Sequence, residues 1–202
     1  MAPLAERSRA LPAAARIDVL ACAAEQLALG PATFDVALAR NSLMYCHDLR
    51  LAVRNVRHAL RAGGRFVASC YGPLEREPYH AIPIAAVRRR CELREPFPEY
   101  VQAFRVGAAD LKQAFDTAGF LAVIAHVVPT LRSYSSLAAA LDLLRASPSL
   151  GRLMSRVPAS QRDDTWTEIA DAFRAYARPD GLLVPGEQVV VVGTAPGVRT
   201  GG

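Results

Sequence analysis

Phe34-Asp35-Val36-Ala37-Leu38-Ala39 and, after a helix-periodic stretch, Gly63-Gly64-Arg65-Phe66-Val67-Ala68-Ser69-Cys70 decide the fold. The first is a near-continuous apolar segment of the kind found in strands covered on both faces, and its end falls near Asn41. Asp48 then precedes Leu49, Ala52, Val53, Val56, Ala59 and Leu60. These recur at helical spacing with arginines between them, so Asp48 reads as the N-cap of an amphipathic helix. Gly63 and Gly64 stop that helix, since glycine past a helix end readily takes the left-handed conformation that closes the last turn. Arg65 to Cys70 reads as the next strand. Strand, helix and strand have the length of a right-handed parallel crossover.

Toward the N-terminus, Ile17 to Ala21 is a short apolar run read as a buried strand, and it leads to a turn at Gly30 and Pro31. Residues 1–16, rich in Ala and Arg, read as a helix or helix remnant despite Pro3 and Pro12. Beyond Tyr71 the chain is irregular around Pro73 and Pro78, then helical from about Ala81 to Cys91, then irregular around Pro96 and Pro98. Ala108 to Gly119 is a short amphipathic helix and Phe120 to Leu131 is strand-like. Three helical stretches separated by Pro148 and Pro158 fill Ser135 to Tyr176. Leu182 to Thr194 returns to strands, with Pro185 and Gly186 expected to bend or interrupt the pairing. Alternating strands and helices predict an α/β layered sheet in a single domain spanning 1–202, with residues 135–178 inserted as a helical cap between the last two strands.

With 202 residues, 51% hydrophobic and 21% charged, the chain has the composition of a soluble globular domain. Its apolar runs fall far short of the roughly 20 residues that cross a bilayer. Glu6, Arg7 and Arg9 break up the N-terminal segment, so neither a membrane span nor a signal peptide is expected and the cytoplasm is the default location. Cys22, Cys46, Cys70 and Cys91 stand far apart without a CxxC pair, which points to small buried hydrophobes and to no metal site. The net charge of +5 is concentrated at Arg88-Arg89-Arg90, but no aromatic-interleaved patch accompanies that run. A solvated helix face is expected there, and no nucleic-acid partner.

The succession of motifs resembles the class I S-adenosylmethionine-dependent methyltransferases, in particular the type 11 and quinone-biosynthesis members. Cys22-Ala23-Ala24-Glu25, Leu27-Ala28-Leu29, Phe34-Asp35-Val36 and Leu60-Arg61-Ala62-Gly63-Gly64-Arg65-Phe66 carry the resemblance in order and spacing, and Ala118-Gly119-Phe120 resembles the family's approach to its sixth strand. It implies a Rossmann-like sheet, S-adenosylmethionine as cofactor and methyl transfer to a small, apolar acceptor. What is missing is the glycine-rich turn that lets backbone amides approach the cofactor. No glycine precedes Ile17, so the first two strands of the fold are expected to be absent.

At the adenine contact the family's Asp or Asn is replaced by Ala23, leaving backbone groups of Ala23 and Ala24. Hydrogen bonds to charged groups contribute about 1.5 to 3 kcal/mol each, so losing two or three weakens binding by roughly three decades. Absence of the first strand also exposes an edge of the Phe34 to Ala39 strand, which invites a homodimer or a partner chain. A truncated chain, a subunit completed by a partner and a repacked, catalytically inactive relative acting through protein association are the competing explanations, with truncation favoured.

The resemblance places the site at the carboxyl ends of the strands. Arg40 and Asn41 align beside the cofactor, with Tyr45 and Tyr71 as acceptor-pocket walls. His47 is the candidate proton acceptor, since an unperturbed imidazole titrates near 6.5. Leu137, Leu141, Leu144, Leu153 and Trp166 of the cap suit an apolar acceptor, or form its core.

Overall fold

The computed structural model describes residues 17–91 and 101–197, so the expected N-terminal helix and the Pro96–Pro98 loop lie outside the described residues. In chain order the regular elements are β1 (Phe34–Arg40), α1 (Leu49–Ala59), β2 (Leu60–Tyr71), α2 (Pro78–Arg90), α3 (Ala108–Thr117), β3 (Leu121–Tyr134), α4 (Leu137–Arg145), α5 (Pro148–Met154), α6 (Arg162–Phe173), β4 (Ala177–Arg178) and β5 (Gly181–Thr194). The sheet runs β1-β2-β5-β3, with the two-residue β4 paired to β5. β1 and β2 are parallel, as the crossover reading requires, while β5 is antiparallel to both β2 and β3.

The crossover follows its local signals at the start of α1 but not at its end: α1 closes at Ala59 with Leu60 already extended, so Gly63 and Gly64, expected to stop the helix, do not. Asp48 Oδ1 accepts from Leu51 N at 2.9 Å, supplying the predicted N-cap of α1. Ala52 and Val53 on its inner face are fully buried. Gly63 sits at φ +76°, and a side chain at Gly64 would lie 2.9 Å from the Arg61 carbonyl and 3.1 Å from that of Asp35. Both glycines lie within β2, where the register jumps from Phe34↔Leu60 to Val36↔Arg65. This bulge is closed by Asp35, whose carboxylate accepts from Arg61 Nη1 at 2.8 and 3.0 Å.

Residues alternate across the sheet. Phe66, Ala68, Cys70, Val189 and Val191 face α1 and α3 and build the main core with Leu111 and Phe115. A second core joins α2, α4, α5 and α6 to the start of β5 through Ile84, Val87, Leu144, Leu150, Ile169, Phe173 and Leu182. Leu141, Leu144 and Leu153 are therefore core, with Leu137 and Trp166 packed against them. The three helices lie between β3 and β4, where the inserted block was expected.

Two expectations fail here. Ile17 to Ala21 forms no strand: Ile17, Val19 and Leu20 are exposed, and β1 pairs only with β2 among the described residues. Strand formation needs a neighbour, and no described strand lies beyond β1 to supply one. Nor is β1 covered on both faces, because no described element packs on the side carrying Val36 (55% exposed) and Leu38 (77%). The bare face continues through the part-buried Val67, Val190 and Val192 to exposed Ile124 on β3.

A third reading is corrected at Pro185 and Gly186, which interrupt nothing. β5 pairs with β3 continuously from Leu182 to Gln188. The β2 ladder ends at Gln188, so the missing N–H of Pro185 faces no partner strand. Arg88-Arg89-Arg90 also departs from a purely solvated face: Arg89 and Arg90 both pair with Glu168 of α6, Arg90 at 3.2 Å.

Candidate active site

The carboxyl ends of β1 and β2 place two hollows side by side. The chain leaves β1 through Asn41, which takes a left-handed φ of +50° and donates from its backbone N–H to the Ser69 carbonyl at 2.8 Å. Asparagine tolerates that conformation better than most residues. Its Oδ1 is buried with no hydrogen-bond partner among the described residues. Arg40 and Asn41 line a recess of about 460 Å3 with Ser69, Tyr71, Thr130 and Arg132.

Beyond Asn41 a short 3-10 turn, Leu43–Tyr45, is anchored by buried Leu43 and Met44 and leaves Tyr45 exposed. Tyr45 and Tyr71 meet on a second cavity of about 210 Å3, together with His80, Phe104, Ser147 and Ser149. Tyr71 borders both hollows. Its ring stacks on Phe104 at 5.6 Å and lies 4.9 Å from the His80 ring.

Behind this wall lies a buried ion pair. Glu77, fully buried, accepts from Arg132 Nη2 at 3.1 Å and from the Glu187 backbone N–H at 2.8 Å. Gly186 makes room for it, because a side chain there would come within 3.0 Å of Glu77 Oε1. The Arg132 guanidinium lies 5.4 Å from the Tyr71 ring centre and 5.2 Å from that of Tyr79, within cation–π range.

Burial, and then the charge of Arg132, push His80 down to about 4, so the imidazole is neutral near pH 7. Its Nε2 is buried without a partner among the described residues. The groups facing it are Tyr71 on β2, Tyr79 on its own helix, Phe104, and Arg132 on β3 with its Glu77 counter-charge. An unfolded histidine titrates near 6.5, so between about pH 6.5 and about 4 the unfolded chain holds a proton that the native state refuses. The contribution of neutral His80 to stability is fully present above about pH 6.5 and declines as pH falls toward 4, by an amount on the order of 3 kcal/mol. Urea unfolding of the wild type and of His80→Phe from pH 7 to 4 is expected to show a steeper loss in the wild type; parallel curves would mean that the imidazole is solvated.

The structure does not gather all the sequence-predicted residues. His47 donates its backbone N–H to Glu25 Oε1 at 2.7 Å and lines a separate recess of about 400 Å3 with Asp48, Asp110 and Gln113. It therefore does not share the cavity of Tyr45 and Tyr71. Ala23 and Ala24 form the start of a 3-10 turn tied to α1 through Asn55 Nδ2, which donates to the Ala24 and Glu25 carbonyls at 3.1 and 2.9 Å. Burial raises the Cys46 and Cys70 thiols to about 11, keeping them protonated and unsuited to nucleophilic work. No group of three metal-ligating side chains occurs among the described residues, nor does any helix there have the length and apolarity to cross a membrane.

His80, Phe104, Arg132 and Glu77 escaped the sequence reading. Pro78 held the one usable signal: read as the first residue of a helix, where proline is favoured, it starts α2 three residues before Ala81 and puts His80 on its first turn.

Residues 1–68 match the family described as methyltransferase domain. No curated protein matches the chain. Among solved structures, the chain is similar to the YcgJ protein from Bacillus subtilis at 18% identity and a TM-score of 0.47, covering 86% of this chain and 68% of that one. It is also similar to the [4+2]-cyclase SpnF at 16% identity and a TM-score of 0.49, covering 97% of this chain and 61% of the other. Phosphoethanolamine N-methyltransferase 2 from Haemonchus contortus, solved with phosphomonomethylethanolamine and S-adenosylhomocysteine, shares 15% identity at a TM-score of 0.44, covering 87% of this chain and 36% of that chain. The methyltransferase-domain sequence match covers residues 1–68, about a third of the chain.

Proposed function

We propose that this protein takes part in methyl transfer from S-adenosylmethionine to a small, largely apolar molecule. The observation that carries the reading is Tyr71 standing between two hollows at the carboxyl ends of β1 and β2, one lined by Arg40 and Asn41, the other by Tyr45 and His80. Open α/β sheets bind their ligands at this end. Methyl transfer from a sulfonium needs two adjoining compartments, because the reaction gains chiefly from proximity and alignment of donor and acceptor.

The cofactor fits this chain in part. The unpartnered, buried Oδ1 of Asn41 is an acceptor suited to a ligand N–H or O–H. At the 3-10 turn, the Ala23 carbonyl already accepts from Gln26 and that of Ala24 from Asn55, so these residues meet an adenine by other groups than their carbonyls. Bound there, the cofactor supplies the activated methyl group; the protein's share is to hold the acceptor ring and keep water from the gap.

Isothermal calorimetry with S-adenosylmethionine and S-adenosylhomocysteine tests this. Binding that weakens on Asn41→Ala is the expected outcome, and a chain that gives no heat with either compound contradicts the reading.

A second reading, a methyltransferase-like subunit that works through protein association, is favoured by one observation. Among the described residues, none covers the apolar sheet face of Val36, Leu38 and Ile124 or pairs with the outer edge of β1. On this reading the wild type self-associates with rising concentration and Leu38→Asp sediments as a monomer. A wild type that stays monomeric at all concentrations removes self-association.

A further inference from the structure

We infer that the Tyr45–His80 cavity takes a neutral, single-ring molecule bearing a hydroxyl, with that hydroxyl on His80 Nε2 and the ring among Tyr71, Phe104 and Tyr45. The inference rests on the reading of this cavity as the acceptor compartment and names what enters it.

Three features of the cavity select that ligand. First, size: a cavity of about 150 Å3 is known to hold benzene, and this one measures about 210 Å3, enough for one ring with a substituent. Second, the walls are aromatic. The rings of Tyr71, His80 and Phe104 lie 4.9 to 5.6 Å apart pairwise, in tilted and stacked arrangements that a further ring can extend.

Third, polar groups stand beside the rings. His80 lines the cavity, and its Nε2 is a buried polar atom that no described residue satisfies, a rare condition in native proteins and one that a ligand can relieve. A neutral imidazole offers a donor on one nitrogen and an acceptor on the other, and a hydroxyl pairs with either because it can donate or accept. The Ser147 and Ser149 hydroxyls can meet a second polar group.

Charge narrows the class further. None of the described residues lining the cavity carries a charge, so a cation would lose its water there without a counter-charge, and so would an anion. A neutral ligand meets neither cost. Because burial makes His80 a weak base, its part is to fix the hydroxyl in place and thereby to set specificity.

The test needs no cofactor. Phenol, toluene and benzylamine are titrated into the full-length chain carrying labelled histidine, followed by heteronuclear NMR of the imidazole signals near pH 7. Phenol is expected to bind about tenfold more tightly than toluene, the weight of one hydrogen bond, and to move the His80 resonances. Benzylamine, a cation at that pH, is expected to bind no better than toluene. His80→Phe should erase the preference for phenol and His80→Gln should keep most of it.

Equal binding of phenol and toluene by the wild type, an unmoved His80 signal, benzylamine binding as tightly as phenol, or no binding of any of the three overturns the inference. A chain that discriminates phenol but ignores S-adenosylmethionine would refute methyl transfer and leave the cavity assignment standing.

Discussion

Replacing Glu77 with alanine is expected to lower the unfolding free energy by about 3 kcal/mol, toward the lower end of what removing one partner of a buried ion pair costs. The carboxylate is fully buried and Arg132 is 27% exposed at its side chain, so the stranded guanidinium keeps some water and the larger penalties do not apply. The substitution removes two interactions together, the Arg132 pair and the acceptor for the Glu187 N–H. Glu77→Gln keeps an oxygen for the Glu187 amide while removing the charge, and should cost less. Urea unfolding of the two variants beside the wild type measures both. If alanine costs under about 1 kcal/mol, the range of an exposed pair, then water reaches the pair and Glu77 does not organise the Arg132–Tyr71 wall.

Phe115→Ala is expected to cost about 3–5 kcal/mol, the range for emptying an aromatic core position. Its ring is completely buried, stacks on Phe66 at a centroid distance of 4.7 Å and touches Phe120 at 5.0 Å. Neighbouring backbone cannot fill the space readily: β5 passes beneath as Gly193, where an added side chain would lie 2.9 Å from Phe120 and 3.0 Å from Phe115. These contacts hold α3 against β2 and β5, so their loss loosens the helix on the sheet. For a chain of this length, each kcal/mol corresponds to roughly 2–4 °C in Tm, so calorimetry should show a fall of about 10 °C. Phe115→Leu, which retains most of the volume, should recover more than half of it. A fall of only a few degrees for alanine would mean that Phe66 and Phe120 close over the gap.

What was legible in the sequence is what neighbouring residues decide among themselves. Asp48 capping α1 and the arginine-punctuated apolar stripe from Leu49 to Ala59 are signals spanning a few residues, and the parallel β1-α1-β2 unit follows from them, whereas the glycines at 63 and 64, read as the helix stop, bend β2 instead. α3 and the three helices between β3 and β4 were legible in the same way, from their own apolar periodicity and from the glycine and prolines that bound them. The resemblance carried by Phe34-Asp35-Val36 and Leu60 to Phe66 lies inside the segment that matches the methyltransferase domain.

Only the tertiary structure decided the rest, because each remaining feature depends on a partner far along the chain. Ile17 to Ala21 has the composition of a strand and no described strand to pair with, and Leu38 stands in the open because no described element packs on its face of the sheet. Pro185 passes unremarked through β5 because β2 ends before reaching it, a matter of register that no local pattern encodes. The chemistry of the cavity is likewise non-local: the Glu77 carboxylate meets an amide 110 residues away and an arginine 55 away, and together they bury the imidazole of His80 beside Tyr71. Composition marks a histidine in either place alike. It is the low dielectric and the neighbouring guanidinium, created only when β2, β3 and α2 converge, that keep His80 uncharged while His47 remains at the surface.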